Sequence, residues 1–560
     1  MSLKNTIVKV REMEEDTMNL IKTINSGIST LKSSLKRFPY ALAFPTITAI
    51  ILITLVNGES YYNSETIDLL QRLAMTTALG FPLFLIIKAI IERKTTLAIT
   101  YKFIIRIAAL IILIAYHFLL LNEISMVTVT RFIAINLALY LLFLVIPYFY
   151  NKKSFELYVI KIFSRLLVTF IYSGVLFAGL ASIIFTLNKL LNVPVTEEIY
   201  VSTGLVVMGI FAPIFLLAEI PHRDEKINHK EFPGIFEILL LYIIMPLITV
   251  YTFILYIYFA KIIVIQQWPE GLVGHLVIWY ASFSILLLFF ISPLKEKSKW
   301  VRSFSQWLPV ALIPLLFMMF IAIGIRINSY GFTESRYYVV LLGLWLIGIS
   351  LYYIFSKIRN NIILPLTLSI IALLSVFGPW SSYSVSIHSQ NNRFTGIIQK
   401  YNMIEDNTIV RKNVQITEND QEEIKSILRY FEYNHNLEDL KYLPDNFKLK
   451  ETKELFGFTY RERPNPKRFQ HFHYNINRNN QGLTIQKYDY FFHISNRHKK
   501  FYITKPDYNL NVTFNKPNNE IIITQNDDEI YRKILTPVLV KLHQQNKGIP
   551  VEKLDPEKFI

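Results

Sequence analysis

Residues 307–325 read WLPVALIPLLFMMFIAIGI, an uncharged run bounded by Arg302 and Arg326. At 1.5 Å per helical residue such a run measures about 28 Å, close to the thickness of a bilayer's hydrocarbon core. Ten more stretches read the same way: Tyr40–Val56, Leu73–Ile91, Ile104–Leu121, Phe132–Tyr150, Leu166–Leu187, Tyr200–Ile220, Ile235–Ile265, Leu272–Ser292, Tyr338–Phe355 and Ile362–Phe377. The expected fold is a polytopic α-helical membrane protein of about 11 spans with a C-terminal soluble α+β domain. The seventh stretch would measure about 46 Å as one helix, so it must tilt, kink at Pro246 or project from the bilayer. One helix or two remains open at this point.

Composition agrees. Of 560 residues, 52% are hydrophobic and only 18% charged, against about 25% in soluble domains. The formal net charge of +16 raises nucleic acid as a partner. Its distribution argues otherwise, because residues 379–560 hold 27 Lys plus Arg against 22 Asp plus Glu, leaving most of the excess among the spans. No cysteine is present, which removes disulfides and thiolate metal ligands. The first apolar run begins only near Tyr40, too deep for a cleavable signal peptide, so a retained anchor is expected.

Basic residues alternate between loops. Lys32, Lys36 and Arg37, then Arg93 and Lys94, Lys152 and Lys153, Arg223 and Lys226, Lys295 to Arg302, and Lys357 and Arg359 share one side. Basic loops stay cytoplasmic, which places the N-terminus inside and, with an odd span count, the C-terminal domain outside. The expected division is a cytoplasmic amphipathic arm (1–38), a transmembrane domain (39–377) and an extracytoplasmic α+β domain (378–560). In the arm, Ile21, Ile24, Ile28, Leu31 and Leu35 form one helical stripe suited to a lipid surface.

Prolines recur in the spans, at Pro45, Pro82, Pro147, Pro213, Pro246, Pro309, Pro314 and Pro365, as kinks or as ordinary membrane-helix usage. Charges within spans are scarce and lie near their ends, and Asn136 is the clearest interior polar residue. A charge-relay pump is disfavoured.

In the C-terminal third, Glu418–Tyr433 reads as an amphipathic helix burying Ile424, Ile427, Leu428 and Phe431. Phe469–Ile476, Leu483–Ile494, Phe501–Thr504, Leu510–Phe514 and Ile521–Thr524 alternate like strands, and Asp528–His543 reads as a closing helix. His471, His473 and His493 make a metal site conceivable, but strand histidines are commonly surface residues and no carboxylate set accompanies them. The basic group Arg461, Arg463, Lys467, Arg468, Arg497, Lys499 and Lys500 reads as a solvated face or a contact for anionic headgroups. Dinucleotide, phosphate-loop and nucleophile-elbow patterns are absent, so no catalytic, cofactor-binding or metal residue is assigned.

The most distinctive text is Ala322-Ile-Gly-Ile-Arg326-Ile-Asn-Ser-Tyr330-Gly331-Phe-Thr-Glu334-Ser-Arg336-Tyr337-Tyr338, followed by Gly343-Leu344-Trp345. With Gly378-Pro379-Trp380, Ser389-Gln390-Asn391-Asn392-Arg393 and Arg37-Phe38-Pro39, it resembles the domain of unknown function 4153 family of bacterial membrane proteins. The resemblance implies a protein of the bacterial cytoplasmic membrane and supplies no mechanism.

In the expected topology Arg326 to Tyr337 form an outer loop, and Ser389 to Arg393 emerge on the same side. Arg326, Tyr330, Glu334, Arg336, Tyr337, Gln390 and Arg393 are therefore the candidate junction or binding residues. One reading is a salt-bridged lock of Arg326, Glu334, Arg336 and Arg393, and the other is a ligand site where membrane part and outer domain meet. Three functions stay open: transport or lipid and envelope-component handling with an outer binding domain, sensing or envelope organisation without transport, and membrane-embedded catalysis. The lipid bilayer and an unknown substrate or envelope partner are the expected partners.

Overall fold

A computed structural model gives the fold. It describes residues 31–59, 61–93, 98–149, 154–218, 220–221, 232–266, 272–356, 359–412, 414–444, 446–460, 500–504, 508–515, 519–526, 528–537 and 540–541. Each of the eleven apolar runs is a helix: α1 (Pro39–Gly58), α2 (Ser64–Arg93), α3 (Ile99–Leu120), α4 (Met126–Tyr148), α5 (Phe155–Leu191), α6 (Glu197–Ala218), α7 (Gly234–Ile265), α8 (Leu272–Phe290), α9 (Lys299–Tyr330), α10 (Glu334–Phe355) and α11 (Ile363–Leu374). Nine are long and apolar enough to cross a bilayer, and two are shorter, α8 (apolar over Gly274–Phe290) and α11.

Proline determines local geometry. The seventh stretch is one continuous helix, and it tolerates Pro246 because Leu239–Ile244 just before it is π-helical. Val207–Phe211 does the same ahead of Pro213 in α6. The wider i→i+5 turn makes room for a ring that would otherwise strike the preceding carbonyl. In α9, Pro309 lacks the N–H that Ser305 O would accept, and the Arg359 guanidinium donates to that oxygen instead at 3.2 Å.

Two apolar cores hold the helices. One joins α1 to α4 with the end of α6, around Leu79, Leu85 and Leu121. The other joins the start of α5 with α7 to α10, around Ile285, Leu312, Leu316 and Met319, and α4 packs against α11 between them. Outward faces are as apolar as the cores: Ile111, Ile112 and Phe118 of α3 and Phe170 and Ile171 of α5 are 58–70% exposed. Apolar side chains on both faces suit lipid, where helices associate by close packing rather than by escape from water. Gly343 shows that packing, since a Cβ there would lie 2.6 Å from Met319 Cε.

A smaller layer follows α11. It contains α12 (Ser382–Lys400), a two-stranded hairpin of β1 (Ile404–Glu405) and β2 (Thr408–Ile409), α13 (Glu418–Asn434) and the single turn α14 (Thr452–Phe456). Asp406 and Asn407 both have positive φ, as a two-residue hairpin turn requires. Ile424, Ile427, Leu428 and Phe431 of α13 are at most 1% exposed and meet Phe394 and Ile398 of α12, which is the expected buried face. Thr417 caps α13 by accepting from the Asp420 N–H.

The chain forms two compact units, Met1–Tyr460 and Arg461–Ile560. Residues 382–460 thus group with the helical bundle, whereas the sequence reading opened a separate domain at 378. In the second unit β3 (Lys500–Thr504), β4 (Asn509–Asn515), β5 (Glu520–Gln525) and β6 (Asp528–Ile534) form an antiparallel meander in that order. The closing helix expected from Asp528 is corrected, because Asp528–Ile534 is strand β6. Pairing with β5, aided by Arg532 Nη1 at 3.1 Å from the buried Glu520 carboxylate, overrides a helix-compatible composition. The expected strands Phe469–Ile476 and Leu483–Ile494, the three strand histidines, the basic group from Arg461 to Lys499, and the arm before residue 31 lie outside the described residues.

Candidate functional site

The seven candidate residues gather at the end of the bundle where α9 passes into α10. The outer loop of about a dozen residues that the sequence suggested is a three-residue turn, Gly331-Phe332-Thr333. Arg326 and Tyr330 belong to α9, and Glu334 is the first residue of α10. Gly331 makes so short a turn possible with φ 68° and ψ −179°, a region open essentially to glycine.

The turn is gripped by its own carbonyls. Tyr330 O accepts from Gln390 Nε2 at 3.1 Å, Arg393 Nη1 at 2.7 Å and Arg336 Nη1 at 3.0 Å. Gly331 O accepts from Arg336 at 2.6 Å, and Phe332 O from Gln390 at 2.7 Å. The Phe332 N–H donates to Ser389 Oγ at 2.9 Å. Ser389, Gln390 and Arg393 all lie on α12, so three groups within two helical turns hold one tight turn. Arg393 reaches on to Glu423 of α13 at 2.5 Å. Tyr337 donates to Trp380 O at 2.8 Å. Asn391, 2% exposed, donates to Asp439 O at 2.9 Å and accepts from the Lys441 N–H at 2.7 Å.

Glu334 overturns one expectation. Its carboxylate does not pair with an arginine: Oε1 accepts from Tyr430 OH at 2.6 Å and lies 2.7 Å from His435 Nε2, and those two partners are 2.8 Å apart. The contacts differ from the expected salt bridges among Arg326, Glu334, Arg336 and Arg393: Arg336 donates to the Tyr330 and Gly331 carbonyls, and Arg393 to Tyr330 O, Gln390 Oε1 and Glu423. A proton must sit on the Glu334–His435 contact, or two lone pairs would face each other. Burial, then the nearby carboxylate, push the Tyr430 phenol far above its ordinary value, so it stays a donor. The His435 and Glu334 side chains are 2% and 11% exposed. The trio has the parts of an acid–base centre, but no face open to a substrate.

Sequence reasoning missed Tyr430, His435 and Glu423. The available signal was position, because Tyr430 borders the stripe of Ile424, Ile427, Leu428 and Phe431, and His435 is the residue that ends the helix. It also missed a second polar cluster at the opposite end of the bundle. There Asn361, 2% exposed, donates to Glu156 Oε1 at 2.7 Å and Ser292 Oγ at 3.0 Å, while Tyr353 donates to Asn361 Oδ1 at 2.8 Å. Lys295 and Arg359 lie 5.9 and 5.5 Å from the centre of the Tyr353 ring. Burial, with Arg359 beside it, pushes Lys295 down to about 8. At that end too, Arg37 makes a two-point ion pair with Glu92 at 2.9 Å and donates to Ile220 O at 2.7 Å. No group of three His, Asp or Glu able to hold a metal occurs among the described residues.

These features define a multi-pass helical membrane protein with a polar lock at each end of its bundle. The chain belongs to the family described as Domain of unknown function (DUF4153), whose profile matches residues 47–406. It is 22% identical over 396 residues to uncharacterized protein PM1469 of Pasteurella multocida (strain Pm70). That match covers 70% of this chain and 63% of the relative's length. No solved structure matches.

Proposed function

We propose that the chain is a protein of the bacterial cytoplasmic membrane, N-terminus inside and C-terminal region outside, that senses or organises an envelope component through that outer region. The clamp on the α9–α10 turn carries the reading. It fixes a layer of soluble structure to the end of the bundle through a cluster of hydrogen bonds converging on one three-residue turn, as a platform needs and a moving gate does not. Alternation of basic loops supports the orientation. Solute transport is less favoured because α9 turns Leu308, Leu312, Leu316 and Met319, each 0% exposed, into an apolar core. Lipid handling is the second reading, favoured by a basic cavity on α5.

Replacing the full chain by residues 1–460 tests the platform. We expect the shortened protein to insert and to keep its thermal stability in detergent, yet to leave a deletion strain as sensitive to envelope stress as if nothing were supplied. Full rescue by residues 1–460 would remove the working role from the C-terminal unit.

A further inference from the structure

On α5, Lys161, Ser164, Arg165 and Val168 follow the i, i+3, i+4, i+7 spacing of one helical face. That face lines a cavity of about 330 Å³ together with Leu157 and Ile160 of α5 and with Phe232 and Pro233 ahead of α7. The volume lies at the lower end of the range for ligand sites. Its chemistry is divided between a polar wall with two cationic side chains and a hydroxyl and an apolar wall. Ser164 Oγ is buried without a hydrogen-bond partner among the described residues, although helical serines ordinarily return a bond to their own backbone.

Height along α5 says what meets this face. From Phe155 to Ile160 every residue but Glu156 is at most 9% exposed, wrapped by protein. From Leu166 onward the helix turns outward with Leu166 at 47%, Leu167 at 40%, Phe170 at 69% and Ile171 at 58% exposed, all apolar. A hydrocarbon core of about 30 Å takes about 20 residues of helix, which runs from Leu166 to the neighbourhood of Leu187. Lys161, Ser164 and Arg165 therefore stand at the level of the lipid phosphates, one turn from the acyl region.

We propose that this cavity binds the phosphate headgroup of an anionic phospholipid. Lys161 and Arg165 face the phosphate oxygens, Ser164 donates its hydroxyl, and the glycerol end rests on Ile160, Val168 and Phe232. The acyl chains then run down the exposed face of α5. An apolar wall continuous with a lipid-facing helix favours a lipid over a free anion, which needs charge alone.

The test uses the delipidated full chain in detergent, titrated separately with phosphatidylglycerol, phosphatidylcholine and inorganic phosphate, with binding read by native mass spectrometry and thermal stability. Phosphatidylglycerol should bind at least about tenfold more tightly than phosphatidylcholine and raise the melting temperature, while inorganic phosphate should do neither. Lys161→Gln with Arg165→Gln should abolish the preference while leaving the lipid-free melting temperature in place. Should that pair fail to fold, Val168→Trp, which fills the apolar side and keeps both charges, should block the lipid on its own. Equal binding of the two lipids, or an unchanged preference in the folded variants, refutes the site. A stabilisation by inorganic phosphate equal to that of phosphatidylglycerol makes it a free-anion site and overturns the lipid assignment.

Discussion

Gly331→Ala tests the clamp at its tightest point. Two costs arise from the structure. At φ 68° and ψ −179° an alanine is strained by about 1–3 kcal/mol. Its Cβ would also stand 2.6 Å from Arg393 Cδ and 3.0 Å from Gln390 Nε2 and Ser389 Oγ. Arg393 must then move, weakening its bonds to Tyr330 O and Glu423 at about 0.5–3 kcal/mol for the two together. A loss of roughly 1.5–6 kcal/mol is expected on these two terms, read as a lowered melting temperature of the detergent-solubilised full chain. Gly396→Ala on the same helix as Arg393, where an added Cβ meets nothing within 4 Å, should be neutral or slightly stabilising. Arg393→Ala should cost less in the Gly331→Ala background than in the native chain, because one contact is then already broken. Equal melting temperatures for Gly331→Ala and Gly396→Ala would refute the clamp.

Glu334→Gln should lower the melting temperature through loss of charge-assisted bonds worth about 1.5–3 kcal/mol. Tyr430→Phe should add little to it, so a double-mutant cycle that came out additive would dissolve the trio. Alkaline phosphatase fused after Ile560 should be active and a fluorescent protein that folds only in the cytoplasm should be dark there, and the opposite pair of results reverses the topology. Lys295 is held at about 8, below its unfolded value near 10.4. The unfolded chain therefore binds more protons between those values, and stability should rise as pH is raised through about 8 to 10 by an amount on the order of 2 kcal/mol. Lys295→Met should flatten that rise, which thermal melts at pH 7.5 and 9.5 would detect.

The spans were legible because lipid imposes one requirement, an apolar helix of sufficient length, and nine of the eleven runs meet it without help from a neighbour, α8 and α11 falling short in length alone. α13 was legible for the related reason that its buried stripe is regular. β6 was not, because the stretch from Asp528 to Ile534 has no preference strong enough to resist an adjacent strand edge, and pairing across chain segments is invisible in one segment's composition. The junction was legible as a place and not as a set of bonds. Gly331, Arg336 and Arg393 stood out as unusual text, yet the acceptors they serve are mostly backbone carbonyls, which every residue carries. Glu334 was paired with arginine on charge alone, whereas its partners sit on α13 and at its end, some hundred residues further on.

The lock also bears on where the folded body ends. The family profile stops at residue 406, but Glu423, Tyr430 and His435, which hold Arg393 and Glu334, lie beyond it. Without α13 the Glu334 carboxylate would lose both its hydrogen-bond partners, and Phe394 and Ile398 of α12, both 0% exposed in the folded chain, would face water. Residues 382–460 thus pack within the same compact unit as the helical bundle, which ends at Tyr460.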